Sequence, residues 1–597
     1  MSLECLDDQC TPSVSGPPSE EKSAPVMTQE TGTLISAANH HFLTTNSSMV
    51  LMVMDENIAV LLLSLFPVLL AVYLRRRHPA AAPSENHCPH PNRVLGNTVP
   101  FLLNLHRFLD WATDLLAAAP ASTIEVRGAL GLGSGVATAS PEAVDHLLRA
   151  NFPNYVKGAR FAVPFADLLG RGMFLADGRL WSLQRKLASY SFSSRSLRRF
   201  SDRVLRAHLR RSLVPLLDAA AGSGEPVDLQ DVLRRFSFDN ICSVAFGVES
   251  STLLELEAGG QRQRRRQHEA FFAAFDDAVE ISFARILHPT TLAWRAMRLA
   301  NVGSERRMRE AIGVVDEYVM GMVEASEQSR ARGAEDEHER HLLSRFAEAM
   351  DEEAALGGDL GAMFESPEAK RRFLRDVVVS FVLAGKDTTS SALTWFFWLL
   401  AANPRCERRV HEEVTRLHRP VHDAESDDDG GYEELKGMHY LHAAITEAMR
   451  LYPPVPINSR VAAAADVLPD GTVVRAGWFA DYSAYAMGRM PQLWGARCRE
   501  FLPERWLDDA HSEFMAADAA KYPVFHAGPR ACLGKEMAYV QMKAVAAAVI
   551  RKFQVEPLRA PASMDAPPPY EMAVTLRMKG GLPVRIRRRE DPARKCR

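Results

Sequence analysis

The longest apolar stretch of the chain runs from Ile58 to Leu74, close to the N-terminus. As a helix it spans about 25 Å, close to the thickness of the hydrocarbon core of the endoplasmic reticulum membrane. Acidic residues precede the stretch, and the run Arg75-Arg76-Arg77 follows it. By the positive-inside rule, the chain after this run lies in the cytosol. The pattern therefore predicts a single-pass transmembrane anchor over residues 57–74.

Two other interpretations of this stretch stay open. A cleaved signal peptide requires basic residues before the apolar run and small residues at a cleavage site after it, and neither is present. A buried core helix is the second alternative, although charges on both flanks favour a membrane span.

The segments on either side of the predicted anchor are polar or rich in proline. The first 53 residues carry six acids against one lysine, which is unlike a transit peptide, and we predict a disordered extension over residues 1–56. Met54 is a candidate for the natural start. Residues 75–93 contain several Pro and Ala residues and are predicted to form a short, stiff linker.

Helical periodicity dominates the remaining chain, residues 94–590. Apolar positions such as 537, 540, 544, 545 and 548 recur at helical spacing over Lys535 to Phe553, and Arg371 to Ala402 reads as one long helix that ends at Asn403-Pro404. Strand-like patterns are confined to residues 122–138, 455–480 and 570–587, and residues 257–268 are predicted to form a polar loop. The fold class predicted is mainly α, an α+β domain with small β-sheets.

Charge and cysteine usage narrow the function. The formal net charge of −3 gives no basic excess to neutralise phosphates, so nucleic acid is not an expected partner. Eight cysteines are scattered without a CxxC pair or a zinc-like cluster, which favours a reducing compartment over a disulfide framework. A single cysteine in a special setting therefore matters more than any pair.

Cys532 has such a setting. Gly528 and Gly534 bracket it, so backbone N–H groups can approach the sulfur closely. The predicted helix from Lys535 begins directly afterwards, and a helix N-terminus stabilises a thiolate. The alternative is a small buried hydrophobe, the usual fate of a lone cysteine.

The long predicted helix contains Gly385, Asp387 and Thr388 near its middle. Glycine inside a helix costs up to about 1 kcal/mol against Ala, and close approach of a flat ligand is one reason to place it there. Thr388 can bond the carbonyl of Ala384, which opens the helix locally. An adjacent acid and alcohol can relay protons. The alternative is a threonine that only bends a core helix.

Two further motifs pair charges with aromatic or apolar neighbours. Glu447 and Arg450 are three residues apart before an apolar segment, where a buried ion pair with a further partner such as Arg505 is plausible. Trp181 and Arg185 share one helix face and are suited to bind an anion. Each pattern alone is also compatible with an ordinary surface helix.

Taken together and in this order, these motifs resemble the signature set of the cytochrome P450 superfamily. The segment Phe525 to Gly534 fits the cysteine-loop motif FxxGxRxCxG at every fixed position, and the resemblance covers residues 94 to 589. It implies the cytochrome P450 fold, haem b as the cofactor, electrons from NADPH through NADPH–cytochrome P450 reductase, and O2 as the oxidant. The N-terminal anchor resembles that of the microsomal members.

The resemblance also implies a role for each motif residue. Cys532 would be the proximal iron ligand. The residues expected to bind the haem propionates are Trp181, Arg185 and Arg530. Asp387 and Thr388 would deliver protons on the distal side of the haem. The residues expected to form a buried structural network are Glu447, Arg450 and Arg505.

A narrower resemblance points to the plant fatty-acid ω-hydroxylase clan. The segments that carry it are Tyr482 to Arg489, Glu500 to Leu507, Tyr522 to Arg530 and Lys535 to Ala538. Asn154 to Gly158 and Arg234 to Ile241 are closest to the branch that holds medium- and long-chain fatty-acid ω-hydroxylases and jasmonoyl-isoleucine hydroxylases. The first 53 residues have no counterpart there.

The function expected is therefore hydroxylation of the terminal carbon of a fatty acid by a membrane-bound haem-thiolate monooxygenase that faces the cytosol. Its partners would be the reductase, membrane lipid and a small amphipathic carboxylic acid. Hydroxylation of jasmonoyl-isoleucine or a similar hormone conjugate is the close alternative. A reductase-independent haem-thiolate isomerase or dehydratase and a non-catalytic haem sensor are more distant ones, because neither needs Asp387 with Thr388. Chain length is not predicted, since one methylene is worth only about 1–3 kcal/mol in an apolar pocket.

Overall fold

The chain divides into two units, residues 1–65 and residues 66–597. The computed structural model describes residues 88, 92 and 95–590, apart from residues 130–132, 194, 254–261, 288–290, 332–340, 356–365, 419–429, 511 and 560–567. The predicted extension and transmembrane anchor lie outside the described residues, all of which belong to the second unit. None of the helices in this part of the chain is long and apolar enough to cross a membrane.

Helices make up most of the second unit, as the sequence predicts. Those in the first half, labelled α1 to α11, are Thr98–Leu103, Phe108–Ala118, Pro141–Asp145, Gly158–Leu169, Gly178–Ser193, Arg195–His208, Val214–Ser223, Leu229–Phe246, Arg262–Leu287, Thr291–Ala300 and Gly303–Ala331. Those in the second half, α12 to α20, are Leu342–Ala355, Pro367–Val382, Thr388–Ala402, Pro404–Arg416, Gly430–Gly437, His439–Leu451, Ala484–Met487, Pro491–Trp494 and Lys535–Lys552. Wider π turns follow α3, join α6 to α7 and join α13 to α14.

The strands form small sheets. In chain order β1 to β12 are Thr123–Val126, Gly135–Thr138, Tyr155–Val156, Val227–Asp228, Asn458–Ala462, Asp466–Val467, Val473–Val474, Phe479–Tyr482, Phe553–Pro557, Tyr570–Met572, Leu576–Met578 and Pro583–Arg588. The largest described sheet has the order β1-β2-β8-β5-β3, with β2 and β8 parallel and the other neighbours antiparallel. A second sheet has the order β4-β12-β9. All three predicted strand regions contain strands, whereas β3, β4 and β9 are additional.

The helix α14 lies at the centre of the core. Almost all of its residues are buried, so it has no polar face, and the ring of Trp395 stacks on that of Tyr452 at 4.0 Å. It packs against α8, α17 and α20. This packing brings together the three helices that carry the predicted acid–alcohol, Glu447–Arg450 and cysteine motifs.

Two of the predicted boundaries change. The long helix begins at Pro367, where the Ser366 hydroxyl accepts a hydrogen bond from the backbone N–H of Ala369. The predicted loop over residues 257–268 is wrong from Arg262 onwards, because α9 begins there. Arg and Gln are good helix formers, and the helix they start buries Phe271 and Phe275.

Candidate functional site

The cysteine loop is closed by backbone contacts directly before α20. The backbone N–H of Cys532 donates to the carbonyl of Phe525 at 2.8 Å, and α20 begins three residues later, as predicted. Gly528 has a φ of +64°, and a Cβ on it would lie 1.9 Å from the carbonyl oxygen of Leu148. Only glycine fits this turn, which holds the cysteine in front of the helix.

The thiol of Cys532 is accessible although its loop lies deep in the fold. A cleft lined by Phe525, Cys532 and Lys535, among others, reaches it. Burial raises the pKa of the thiol, while the backbone N–H of Gly534 and the charges of Arg185 and Lys535 act in the opposite direction. The N–H group of Gly534, at the start of α20, thus favours the thiolate as the sequence analysis expects, while burial opposes it. Coordination to a metal ion deprotonates a thiol outright, so a bound iron would stabilise the thiolate of Cys532 despite its burial.

The three predicted propionate-binding residues meet beside this loop. The guanidinium of Arg530 lies 4.5 Å from the ring centroid of Trp181 and donates to Asp177 Oδ1 at 2.6 Å. The guanidinium of Arg185 donates to the carbonyl of Ala531, next to the cysteine. Residues from α5 and from the cysteine loop, far apart in the sequence, thus form one cationic surface.

Sequence reasoning missed two further cations at this surface, Lys157 and Arg460. Arg460 is fully buried on β5, and its Nε and Nη2 atoms have no hydrogen-bond partner among the described residues. Burial and the charges of Arg460 and Arg530 hold the pKa of Lys157 well below its usual range, opposed by Asp177. The sequence gives no signal for Arg460, because the buried phase that it shares with Asn458 and Ala462 is set by the packing of the strand.

This donor set fits haem b. The cations gathered beside Cys532 are Lys157, Arg185, Arg460 and Arg530, and they face one another with Asp177 as the opposing acid. Buried cations and unpaired N–H donors are costly unless an anion satisfies them. The two propionates of haem b would do so while Cys532 reaches the iron.

Replacing Arg460 by Met should weaken haem retention by about tenfold to a hundredfold, because a charged hydrogen bond is worth about 1.5–3 kcal/mol. Without haem the variant should be as stable as the wild-type protein or more so, since one repelling charge is gone. The ratio of Soret to protein absorbance after dilution measures the first quantity, and thermal unfolding of the apoprotein measures the second. Arg585→Met, on the exposed side of β12, is the matched control. Unchanged haem retention in Arg460→Met would contradict this assignment.

The long helix opens at the predicted turn. A π turn, Leu383–Asp387, separates α13 from α14, and the Thr388 hydroxyl donates to the carbonyl of Ala384 at 2.6 Å. The predicted side-chain bond is therefore confirmed. Gly385 has a further reason that the sequence analysis did not give, because a Cβ there would lie 2.7 Å from the side chain of Ile241 on α8. The glycine permits two helices to pack closely.

Asp387 belongs to a buried ion-pair cluster rather than to an isolated acid–alcohol pair. Its Oδ1 accepts from Lys386 Nζ at 2.8 Å and lies 3.6 Å from Arg577 Nη2. Its Oδ2 is buried and has no partner in the described part of the chain. Lys386 and Arg577 also bind Asp276 on α9, at 3.3 and 3.0 Å. The spacing of the motif gave no sign of this cluster.

The structure brings Glu447, Arg450 and Arg505 together, as their motifs suggest. Arg450 donates to both carboxylate oxygens of Glu447 at 2.7 Å, and Arg505 donates to Oε1 at 3.0 Å. The carboxylate of Glu447 also accepts hydrogen bonds from the indole N–H of Trp506 at 2.8 Å and from the backbone N–H of Leu502 at 2.9 Å. The network is buried and its acid is fully satisfied.

Comparison with known proteins agrees with these motifs. The family model described as cytochrome P450 matches residues 130–582. The protein named cytochrome P450 CYP94D108, from Paris polyphylla, is 41% identical over 87% of this chain and 95% of its own length. Cytochrome P450 94A1 from Vicia sativa is 38% identical over 83% of this chain and 90% of its own. Cytochrome P450 94B1 from Arabidopsis thaliana is 38% identical over 90% of this chain and 99% of its own length.

Proposed function

The chain belongs to the cytochrome P450 family, and from this membership we propose that it hydroxylates the terminal carbon of fatty acids. The family predicted from the motifs is confirmed, and with it a haem-thiolate monooxygenase that uses haem b and receives electrons from NADPH through a reductase. Bound haem supplies the activation of O2, and an axial thiolate favours cleavage of the O–O bond.

The observation that best supports monooxygenation is the π turn Leu383–Asp387, which opens the helix directly before α14. Proton delivery needs a donor that is not locked in regular helix hydrogen bonding, and the bond from Thr388 to Ala384 produces such an opening. We assign proton delivery on the distal side to Thr388 and Asp387. Lys386 and Arg577 would hold the Asp387 carboxylate ready for this task.

The terminal position of hydroxylation is supported by the resemblance of the segments Tyr482 to Arg489 and Tyr522 to Arg530 to the plant ω-hydroxylase clan. The organisms of the relatives agree with a plant enzyme. The close alternative, hydroxylation of jasmonoyl-isoleucine, shares this chemistry and differs in the acid. The isomerase and sensor alternatives have no use for an acid beside the opened turn.

We further propose that the enzyme is held at the endoplasmic reticulum by the predicted anchor over residues 57–74, with its catalytic unit in the cytosol. The support is the apolar stretch and the three arginines that follow it. The proposed partners are NADPH–cytochrome P450 reductase, membrane lipid and an amphipathic carboxylic acid.

The test is product analysis of the full chain, expressed with a plant reductase and supplied with NADPH. Lauric acid, oleic acid and jasmonoyl-isoleucine are offered separately, and mass spectrometry locates the added oxygen. The proposal expects a hydroxyl group on the terminal carbon of at least one of the two fatty acids. Turnover of jasmonoyl-isoleucine alone would favour the close alternative.

The same preparation separates monooxygenation from isomerisation. A fatty-acid hydroperoxide is offered without NADPH, and its conversion without any turnover of the acids would overturn the proposal. Thr388→Val should consume NADPH with little product because it removes the hydroxyl group. Thr388→Ser keeps the hydroxyl group and is the matched control.

A further inference from the structure

Arg160, in the first turn of α4, forms no ion pair with a described residue. Its guanidinium carbon lies 3.9 Å from the ring centroid of Phe479 on β8. A guanidinium nitrogen lies 3.9 Å from the position that a Cβ on Gly133 would occupy. In the described part of the chain no carboxylate is within 4.0 Å of it, although the side chain is half-buried. A partly buried cation without an ion pair is costly, so a partner that is not part of the protein would be favourable.

The acid that faces Arg160 is already bound elsewhere. Asp481 Oδ1 accepts a hydrogen bond from the Ser459 hydroxyl at 2.5 Å. Burial raises the pKa of Asp481, and the charge of Arg160 and the bond from Ser459 oppose that rise. Asp481 and Phe479 are two residues apart on β8, so their side chains point to the same face of the sheet. Arg160 therefore lies over this face, and no described residue accepts a hydrogen bond from its guanidinium group, so that the N–H donors of this group can bind a ligand.

Arg160 also stands apart from the cations assigned to the haem propionates. The register of β5 and β8 pairs Arg460 with Ala480, so the side chain of Arg460 points to the opposite face of the sheet from Phe479, over which Arg160 lies. The charge of Lys157 acts on His526, beside the cysteine loop. Arg160 lies three residues further along the chain, which is about 4.5 Å along a helix axis. The start of α4 thus offers one cation to the cofactor and a second one beyond it.

We propose that Arg160 binds the carboxylate of the substrate and selects acids over neutral acyl compounds. This deepens the proposed function and rests on it for the identity of the acid. The planar guanidinium matches a carboxylate with two parallel hydrogen bonds, and the ring of Phe479 holds the guanidinium in place. A carboxylate bound to Arg160 would leave the methyl end of the acyl chain free.

The test is ligand binding to the haem-loaded holoenzyme and its Arg160→Gln variant. Lauric acid and its methyl ester have the same chain, and only the acid can pair with Arg160. The dissociation constant for lauric acid should rise by about tenfold to a hundredfold in the variant, because a charged hydrogen bond is lost. The constant for methyl laurate should change by less than about twofold, and the kcat for the acid at saturation should be largely kept.

Arg475→Gln is the matched control. Arg475 is exposed in the loop before β8 and also lies over an aromatic ring, that of Trp478 at 5.3 Å. This variant should bind both compounds as the wild-type enzyme does. The proposal would be overturned if Arg160→Gln and Arg475→Gln weakened the binding of lauric acid equally. It would also be overturned if Arg160→Gln weakened the binding of lauric acid and of methyl laurate equally.

A merely structural role for Arg160 predicts a different pattern. If Arg160 only neutralises Asp481, then adding Asp481→Asn to Arg160→Gln should restore the binding of lauric acid, and this result would overturn the proposal. The proposal expects the double variant to bind lauric acid as weakly as Arg160→Gln does. Asp481→Asn alone should bind lauric acid at least as tightly as the wild-type enzyme. Loss of haem from Arg160→Gln would make it a propionate ligand and would also overturn the proposal.

The inference and the proposed function can fail separately. If lauric acid binds through Arg160 but is hydroxylated away from its terminal carbon, the function fails and the inference stands. If the terminal carbon is hydroxylated while Arg160→Gln binds acid and ester unchanged, the inference fails and the function stands. Absence of lauric acid binding to the wild-type holoenzyme would contradict the inference.

Discussion

Replacing Glu447 by Gln is expected to lower the free energy of unfolding by about 3–5 kcal/mol, the usual cost of breaking a buried ion pair. The glutamate is the shared acceptor for Arg450 and Arg505, and the side chain of Arg450 is completely buried. Without the carboxylate both guanidinium groups keep their charge in a low-dielectric environment. Denaturant unfolding of the holoenzyme, followed by circular dichroism, measures the difference.

The chain offers a matched control with the same spacing. Arg497 and Glu500 also form an ion pair three residues apart, but their side chains are 64% and 51% exposed. Exposed pairs are worth about 0–1 kcal/mol, so Glu500→Gln should change the stability by no more than that. Similar losses in the two variants would show that burial does not determine the strength of the Glu447 network.

Replacing Cys532 by Ser is expected to abolish detectable hydroxylation while the fold is kept. The turn around the cysteine depends on Gly528 and on the backbone bond to Phe525, and neither involves the sulfur. A serine hydroxyl is a poor donor to iron compared with a thiolate, so the electron donation that favours O–O cleavage is lost. NADPH-driven product formation from lauric acid is the activity measured, and far-ultraviolet circular dichroism checks the fold.

Cys406→Ser is the control for this substitution. Cys406 is buried on α15 beside Tyr440, away from the cysteine loop, and a serine can keep the side-chain hydrogen bond to that tyrosine. This variant should retain hydroxylation. Equal loss of activity in both variants would indicate general damage by a buried hydroxyl group rather than loss of an iron ligand.

Local chemistry explains what could be predicted from the sequence. The bond from Thr388 to Ala384 joins residues one helical turn apart, and the position of Cys532 before α20 depends on neighbours in the chain. The contact between Glu447 and Arg450 is also local. Such features need only helical periodicity and side-chain chemistry.

The parts that escaped prediction depend on contacts between distant segments. Lys386 and Arg577, the latter on β11, both bind Asp276 on α9, and no spacing along the chain indicates these contacts. The packing of Gly385 against Ile241 could not be predicted, because Ile241 lies on α8, far away in the sequence. Arg460 looked like an ordinary strand residue, since its buried environment is set by packing across the sheet.

The position of Arg160 shows the same limit. Its cation–aromatic contact joins α4 to β8, more than 300 residues later in the chain. The sequence motif that contains Lys157 and Gly158 marks the start of α4 but says nothing about which cation serves the cofactor and which serves a substrate. Only the arrangement of the charges in space separates Lys157 from Arg160.

The central claim, that the Cys532 thiolate holds the haem iron, is tested most directly by the absorbance of the reduced, carbon monoxide-bound holoenzyme. The wild-type enzyme should show the red-shifted Soret band of thiolate ligation. Cys532→His should still bind haem through its neighbouring cations, and its Soret band should lose the red shift. A red-shifted band that persists in Cys532→His would mean that another residue holds the iron and would contradict the account.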